Sequence, residues 1–123
     1  MWTVADPWPY SYLLGMYLGD GWVGPVARST RFVVTLDARY PEIIEEAATS
    51  AHLAARGSRV TVRRHRHDAY FIVSSYAAHW VDAFPQAGPG CKHDRPIGLA
   101  DWQREVVDRH PEQFLRGLIH SDG

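Results

Sequence analysis

The sequence predicts an α+β domain in which helices cover one face of a small antiparallel sheet. Three observations carry the prediction. A nine-residue phrase occurs twice, as Leu13-Leu14-Gly15-Met16-Tyr17-Leu18-Gly19-Asp20-Gly21 and as Leu115-Arg116-Gly117-Leu118-Ile119-His120-Ser121-Asp122-Gly123, and both copies read as apolar helices. Residues 31–37 alternate strictly, with Phe32, Val34 and Leu36 on one face and Arg31, Val33, Thr35 and Asp37 on the other, which is the period of a half-buried strand. Two further β-branched or aromatic runs, 59–65 and 69–75, flank His67-Asp68 and read as a hairpin.

Taken in order, residues 1–9 are rich in Trp and Pro and read as an irregular lead-in. Residues 10–19 are apolar nearly all round, the pattern of a helix buried on more than one side. Gly24 and Pro25 break residues 22–30 into a short strand and a turn. Pro41-Glu42 opens a helix that runs to about residue 55, with Ile44, Ala47, Ala48 and Ala51 inward and Gly57 as its stop. After the hairpin, residues 76–84 read as a short helix that carries Trp80 and Phe84. Residues 85–98, with three prolines and three glycines, form the longest loop. Asp101 caps a helix to residue 109, and His110-Pro111-Glu112 starts the helix of the second repeat.

Small residues four apart, Gly15 with Gly19 and Gly117 with Ser121, share one helix face and let a second backbone come close. The closing glycine of each copy is expected to end its helix in a left-handed conformation, which puts Asp20 and Asp122 at the last turns. A carboxylate is poorly placed there, because a helix C-terminus already carries partial negative charge. If the two helices pair, the acids arrive side by side, and two close carboxylates are tolerated mainly when a hard divalent cation neutralises them. The repeat thus encodes a metal site.

These two copies, 18 of 123 residues, resemble the motif of the LAGLIDADG homing endonucleases, and the order of elements between them looks like that family's αββαββα half-domain with its saddle-shaped antiparallel sheet. The resemblance implies a first half over residues 10–110 and, over 111–123, the motif helix of a second half truncated after its motif. The complete chain is then a pseudo-symmetric monomer that cleaves long double-stranded DNA sites by Mg²⁺-dependent phosphodiester hydrolysis. It also implies that Asp20 and Asp122 bind Mg²⁺, with the carbonyls of Gly19 and Ser121 as added ligands. Lys92-His93-x-Arg95-Pro96-Ile97 is similar to the Lys-x-x-Arg-x-Ile-Pro stretch that precedes the second motif in two-motif members, which gives Lys92 a place near the scissile phosphate; Gln86 is a weaker candidate. Many members carry a polar residue near the end of the second strand. Here that strand ends in Leu36 and Asp37, with Arg39 just beyond.

The charge distribution agrees with a nucleic-acid partner even though the net charge is only −1. Residues 56–67 hold five arginines and two histidines without an acid, while Glu42, Glu45 and Glu46 gather on another element. Arg59, Thr61, Arg63 and His65 share one strand face, free to meet DNA, and Arg31 and Arg39 join them as DNA contacts. Arg64 and Arg66 fit neither alternation. Leu36 and the weak net charge favour a rival on the same fold, a DNA-binding transcriptional regulator without cleavage, whereas the two acids favour the nuclease. Cys91-x-His93 with His65 and His67 matches no standard zinc spacing. No stretch approaches the ~20 apolar residues of a membrane span, and the single cysteine, Cys91, points to a reducing, cytoplasmic setting.

Overall fold

The first element of the computed structural model, which describes residues 4, 6–55, 59–65, 69–87 and 98–122, is helix α1, Pro7–Gly19. It begins inside the stretch expected to be irregular. Proline suits the first helical turn, where its missing N–H is not needed. Residues 9–17 are all buried, as an all-round apolar helix requires.

Strand β1, Trp22–Val26, and strand β2, Ser29–Asp37, pair across a two-residue turn from Trp22↔Val33 to Val26↔Ser29, and this pairing starts β2 two residues earlier than its alternation implies. Helix α2 is Pro41–Ala54. Strands β3, Val60–Arg64, and β4, Tyr70–Tyr76, follow. The helix expected over 76–84 shrinks to α3, Trp80–Ala83, because Tyr76 is the last residue of β4, paired with Arg31. Helix α4 is Asp101–Arg109 and helix α5 is Pro111–Asp122. Asp101 does not cap α4: Ala100 holds the cap position, and its N–H donates to Gln103 Oε1 at 2.9 Å. Gly57, the His67-Asp68 turn and most of the long loop lie outside the described residues.

The chain is therefore α+β, with five helices and a four-stranded antiparallel sheet of order β1-β2-β4-β3 among the described residues. Phe32, Val34, Leu36 and Val73 fill the covered face and are at most 3% exposed. Phe84 is the hub of the core, with Tyr17, Phe32, Trp80 and Tyr10 rings at 4.7–5.7 Å, so it ties α1, β2 and α3 together. Removing such a ring typically costs about 3–5 kcal/mol. Two side chains trapped in this core are hydrogen-bonded: Trp80 Nε1 donates to Ser75 Oγ at 3.2 Å, and Gln103 Nε2 donates to the Tyr10 hydroxyl at 3.1 Å. Burial drives the Tyr10 hydroxyl pKa far up, so it stays neutral, and it donates a hydrogen bond to the Ala83 carbonyl. No helix among the described residues is long and apolar enough to cross a membrane.

Candidate functional site

The two repeat helices, α1 and α5, pair in parallel and more extensively than any other two elements. Ser11 Oγ donates to the His110 carbonyl at one end, 2.9 Å. In the middle the small residues let the backbones touch. A methyl group on Gly15 would collide with the Phe114 carbonyl oxygen and stand 3.0 Å from the Leu118 nitrogen; one on Gly117 would collide with the Tyr12 carbonyl oxygen and stand 2.8 Å from the Met16 nitrogen. Phe114 and Leu118 occupy the same places in the second copy as Tyr12 and Met16 in the first, so the copies face each other through equivalent positions.

At the far end Asp20 is the C-cap of α1, with an exposed side chain, and its N–H reaches the Met16 carbonyl. Gly21 also donates to that carbonyl, at 3.1 Å. Its backbone is not left-handed, which corrects the expectation. Glycine is needed there for space, because a Cβ would lie 2.6 Å from Tyr17 Cα. Asp20 opens onto a cavity of about 460 Å³ lined also by Asp37, Tyr40, Tyr70, His120 and Ser121. Ser121 is buried, and its hydroxyl donates to the Leu118 carbonyl at 3.1 Å. Asp122 closes α5, and its side chain lies outside the described residues.

Two residues that line this cavity, His120 and Asp37, belong to polar pairs. Tyr12, fully buried, lies 2.8 Å from His120 Nδ1. Burial pushes the Tyr12 hydroxyl pKa well up, and burial followed by the nearby Arg116 charge pushes the His120 pKa down, so both groups are held neutral. Arg116 in turn forks onto Glu46 at 2.7 and 2.8 Å and joins α5 to α2. At the end of β2, Asp37 accepts from the Arg39 backbone N–H at 2.9 Å and from its guanidinium at 2.7 to 3.2 Å, which lowers the Asp37 carboxyl pKa. Leu36 is buried with the core residues and also lines the cavity.

A separate concavity lies on the uncovered sheet face. The register sets Arg31 beside Tyr76, Val33 beside Ser74 and Asp37 beside Tyr70, and β3 adds Thr61 beside Ser74 and Arg63 beside Ile72. Arg31, Arg59, Thr61, Arg63, Ser74 and Tyr76 line a concavity of about 570 Å³. His65 is exposed just past β3, its backbone N–H donating to the Tyr70 carbonyl at 2.8 Å. Arg64 lies on the opposite face of β3, its guanidinium 5.9 Å from the centre of the Phe71 ring. The predicted DNA contacts Arg31, Arg59 and Arg63 thus come together, whereas Arg39 stands apart from them just past β2, with two of its side-chain donors committed to Asp37.

Lys92, Arg56, Arg66, His67, Cys91 and His93 lie outside the described residues. Gln86 does not stand free: its Nε2 donates to Gln103 Oε1 at 2.6 Å and to the Gly98 carbonyl at 2.9 Å, which ties it into the Tyr10 network. Sequence reasoning missed Ser74, Tyr76, Tyr12 and His120. The first two are visible only once the β2–β4 register is known; the position of His120, next to the small residue of a helix-pairing motif, is the one advance signal.

No group of three or more His, Cys, Asp or Glu side chains suited to a metal occurs among the described residues. Mg²⁺ asks for less than such a cage: it is usually held by one or two carboxylates, with waters and substrate phosphates completing its octahedron. An exposed Asp20 carboxylate at the mouth of an open cavity fits that demand. Comparison of the chain with protein-family models, with curated proteins and with solved structures gives no match in any of the three.

Proposed function

We propose that this chain is a DNA endonuclease of the LAGLIDADG homing type, which binds a specific double-stranded site on its open sheet face and hydrolyses phosphodiester bonds at the joined ends of α1 and α5. The observation that carries the reading is the seam: two copies of one motif meet through Gly15 and Gly117, the acid of the first copy faces a cavity at the seam's end, and a second concavity, lined by arginines, lies on the open face of the same sheet. A helix pair alone could be structural. Coupled to a basic concavity that a polyanion would fill, it has a substrate.

In this reading Arg59 and Arg63 hold phosphates, and Asp20 and Asp122, with the Gly19 and Ser121 carbonyls, hold Mg²⁺. An ion held by these groups would supply Lewis-acid activation of water and stabilisation of the departing oxygen. The neutral Tyr12–His120 pair and the Arg116–Glu46 fork fix the C-terminal turn of α5 against α1 and α2, and so fix the spacing of the two acids.

The test is cleavage of a plasmid that carries a site selected from random duplexes. Wild type should cut with Mg²⁺. Asp20→Asn should fold and bind as wild type does yet lose cutting by at least about a hundredfold, the scale of removing one transition-state electrostatic partner. A wild type that binds its selected site but leaves it intact with Mg²⁺ and Mn²⁺ alike would replace the nuclease with a DNA-binding regulator on the same fold.

A further inference from the structure

The three arginines of the sheet concavity are not held alike. Arg59 and Arg63 stand exposed on the edge strand or just before it, without a hydrogen-bond or ion-pair partner among the described residues. Arg31, on a central strand, donates from Nε at 3.2 Å and from Nη2 at 2.8 Å to the hydroxyl of Ser74, itself only 2% exposed. Its guanidinium also lies 5.9 Å from the centre of the Tyr76 ring, directly across the ladder. On its other side the register places Gly24, and the Trp22 indole folds over that glycine so closely that a Cβ there would strike it.

This clamp uses one edge of the guanidinium and leaves another. Ser74 takes the Nε/Nη2 edge. The end-on edge, with one N–H from each terminal nitrogen, keeps its donors, and that parallel pair matches the O6 and N7 acceptors of guanine in the major groove. Phosphate contacts need charge and tolerate motion, whereas a base contact needs a donor fork already fixed in direction, so that little side-chain entropy is lost on binding. Position separates the roles as well. Arg31 faces Tyr76 on β4 and Arg63 faces Ile72, so the two lie two strand spacings apart across the sheet and four residues apart along it, roughly 16 Å in all. With Arg31 over the floor of a groove about 12 Å wide, a neighbour at that distance lies past the groove edge, where the flanking phosphates run.

We propose that Arg31, clamped by Ser74 and Tyr76, is the residue that reads a guanine in the target, while Arg59 and Arg63 hold backbone phosphates. The assignment rests on the duplex-DNA reading above. The experiment selects a consensus from random duplexes with wild type, Arg31→Lys, Ser74→Ala and the Arg59→Ala/Arg63→Ala double variant, each verified as folded by circular dichroism, and then titrates the consensus and its single-base variants at several salt concentrations. In Arg31→Lys, which keeps the charge but not the fork, preference at one G·C pair should fall from roughly five- to 150-fold to near one, with the salt slope unchanged. Ser74→Ala frees the same fork and should weaken the same preference to a smaller degree. The double variant should lose salt slope and keep the preference. If Arg31→Lys selects the wild-type consensus unaltered, or the double variant is the one that loses the guanine, the assignment is overturned alone; if wild type binds no duplex at all, it is overturned together with the DNA reading.

Discussion

Along the α1–α5 seam two backbones meet with no side chain between them, while on the open sheet face arginines and tyrosines stand over a concavity. The seam is specified by atoms that are missing: at Gly15 and Gly117 a single methyl group would land on a carbonyl oxygen, and a backbone carbonyl cannot swing aside as a side chain can. The face is specified by charge, and its side chains can change without moving a strand. Stability and recognition are therefore carried by different residues, and substitution can separate them.

The largest effect should come from the seam. Gly117→Ala should cost about 3 kcal/mol of overpacking, the upper end of the usual range, set against about 1 kcal/mol that alanine gains over glycine in helix propensity. The net loss should lower the urea midpoint by about 1 M at an ordinary denaturant slope of about 1–3 kcal/mol/M. An unchanged midpoint would mean that the helices do not pair at this distance. On the face, replacing Arg59 and Arg63 together by alanine should leave the urea transition within about 0.5 kcal/mol of wild type. It should still weaken duplex binding and reduce the salt slope by roughly one to two units, at about 0.9 per phosphate contact. Loss of stability without loss of slope would reverse the division.

The smallest effect belongs to the Asp37–Arg39 pair, where the two regions meet. Arg39 holds the folded Asp37 carboxyl below its ordinary pKa, so the pair stabilises the fold above the unfolded value, about pH 3.9, and that contribution is lost as pH falls through the lower folded value. The difference in melting temperature between wild type and Arg39→Ala should be small at neutral pH and vanish in strong acid. A difference that persists there would assign Arg39 a packing role instead, against the Tyr40 ring 5.6 Å away.

Much of the seam was legible in the sequence because small residues four apart leave a periodic trace, and the repeat supplied the partner. The alternation of β2 and the helix over Pro41–Ala54 were legible for the same reason: one local period dominated. What escaped depends on register. Tyr76 joins a strand because Arg31 lies across from it, which nothing local to residues 76–84 announces. Likewise Gln103 looks like a surface residue of α4 until Tyr10, ninety-three positions away, brings it a buried hydroxyl. The Arg31 clamp needs both β2 and β4 before Ser74 and Tyr76 become its neighbours. Gly21 was read as a conformational glycine when the constraint is the nearness of Tyr17 Cα.

The seam also sets an order of events in time. α1 is apolar on every side, yet the element that covers it most fully, α5, lies far along the chain: Ser11 meets His110, and Tyr12 meets His120, 108 residues later. At about 5–20 residues per second, a ribosome takes roughly 5–20 s to make that stretch. During this interval the glycine face of α1 has no partner, and the sheet and α2 can assemble around it but cannot close it. Non-local closure of this kind slows folding and lengthens exposure of apolar surface. The helix made early waits for the helix made late, so the acid at its end acquires its setting only after α5 has been made.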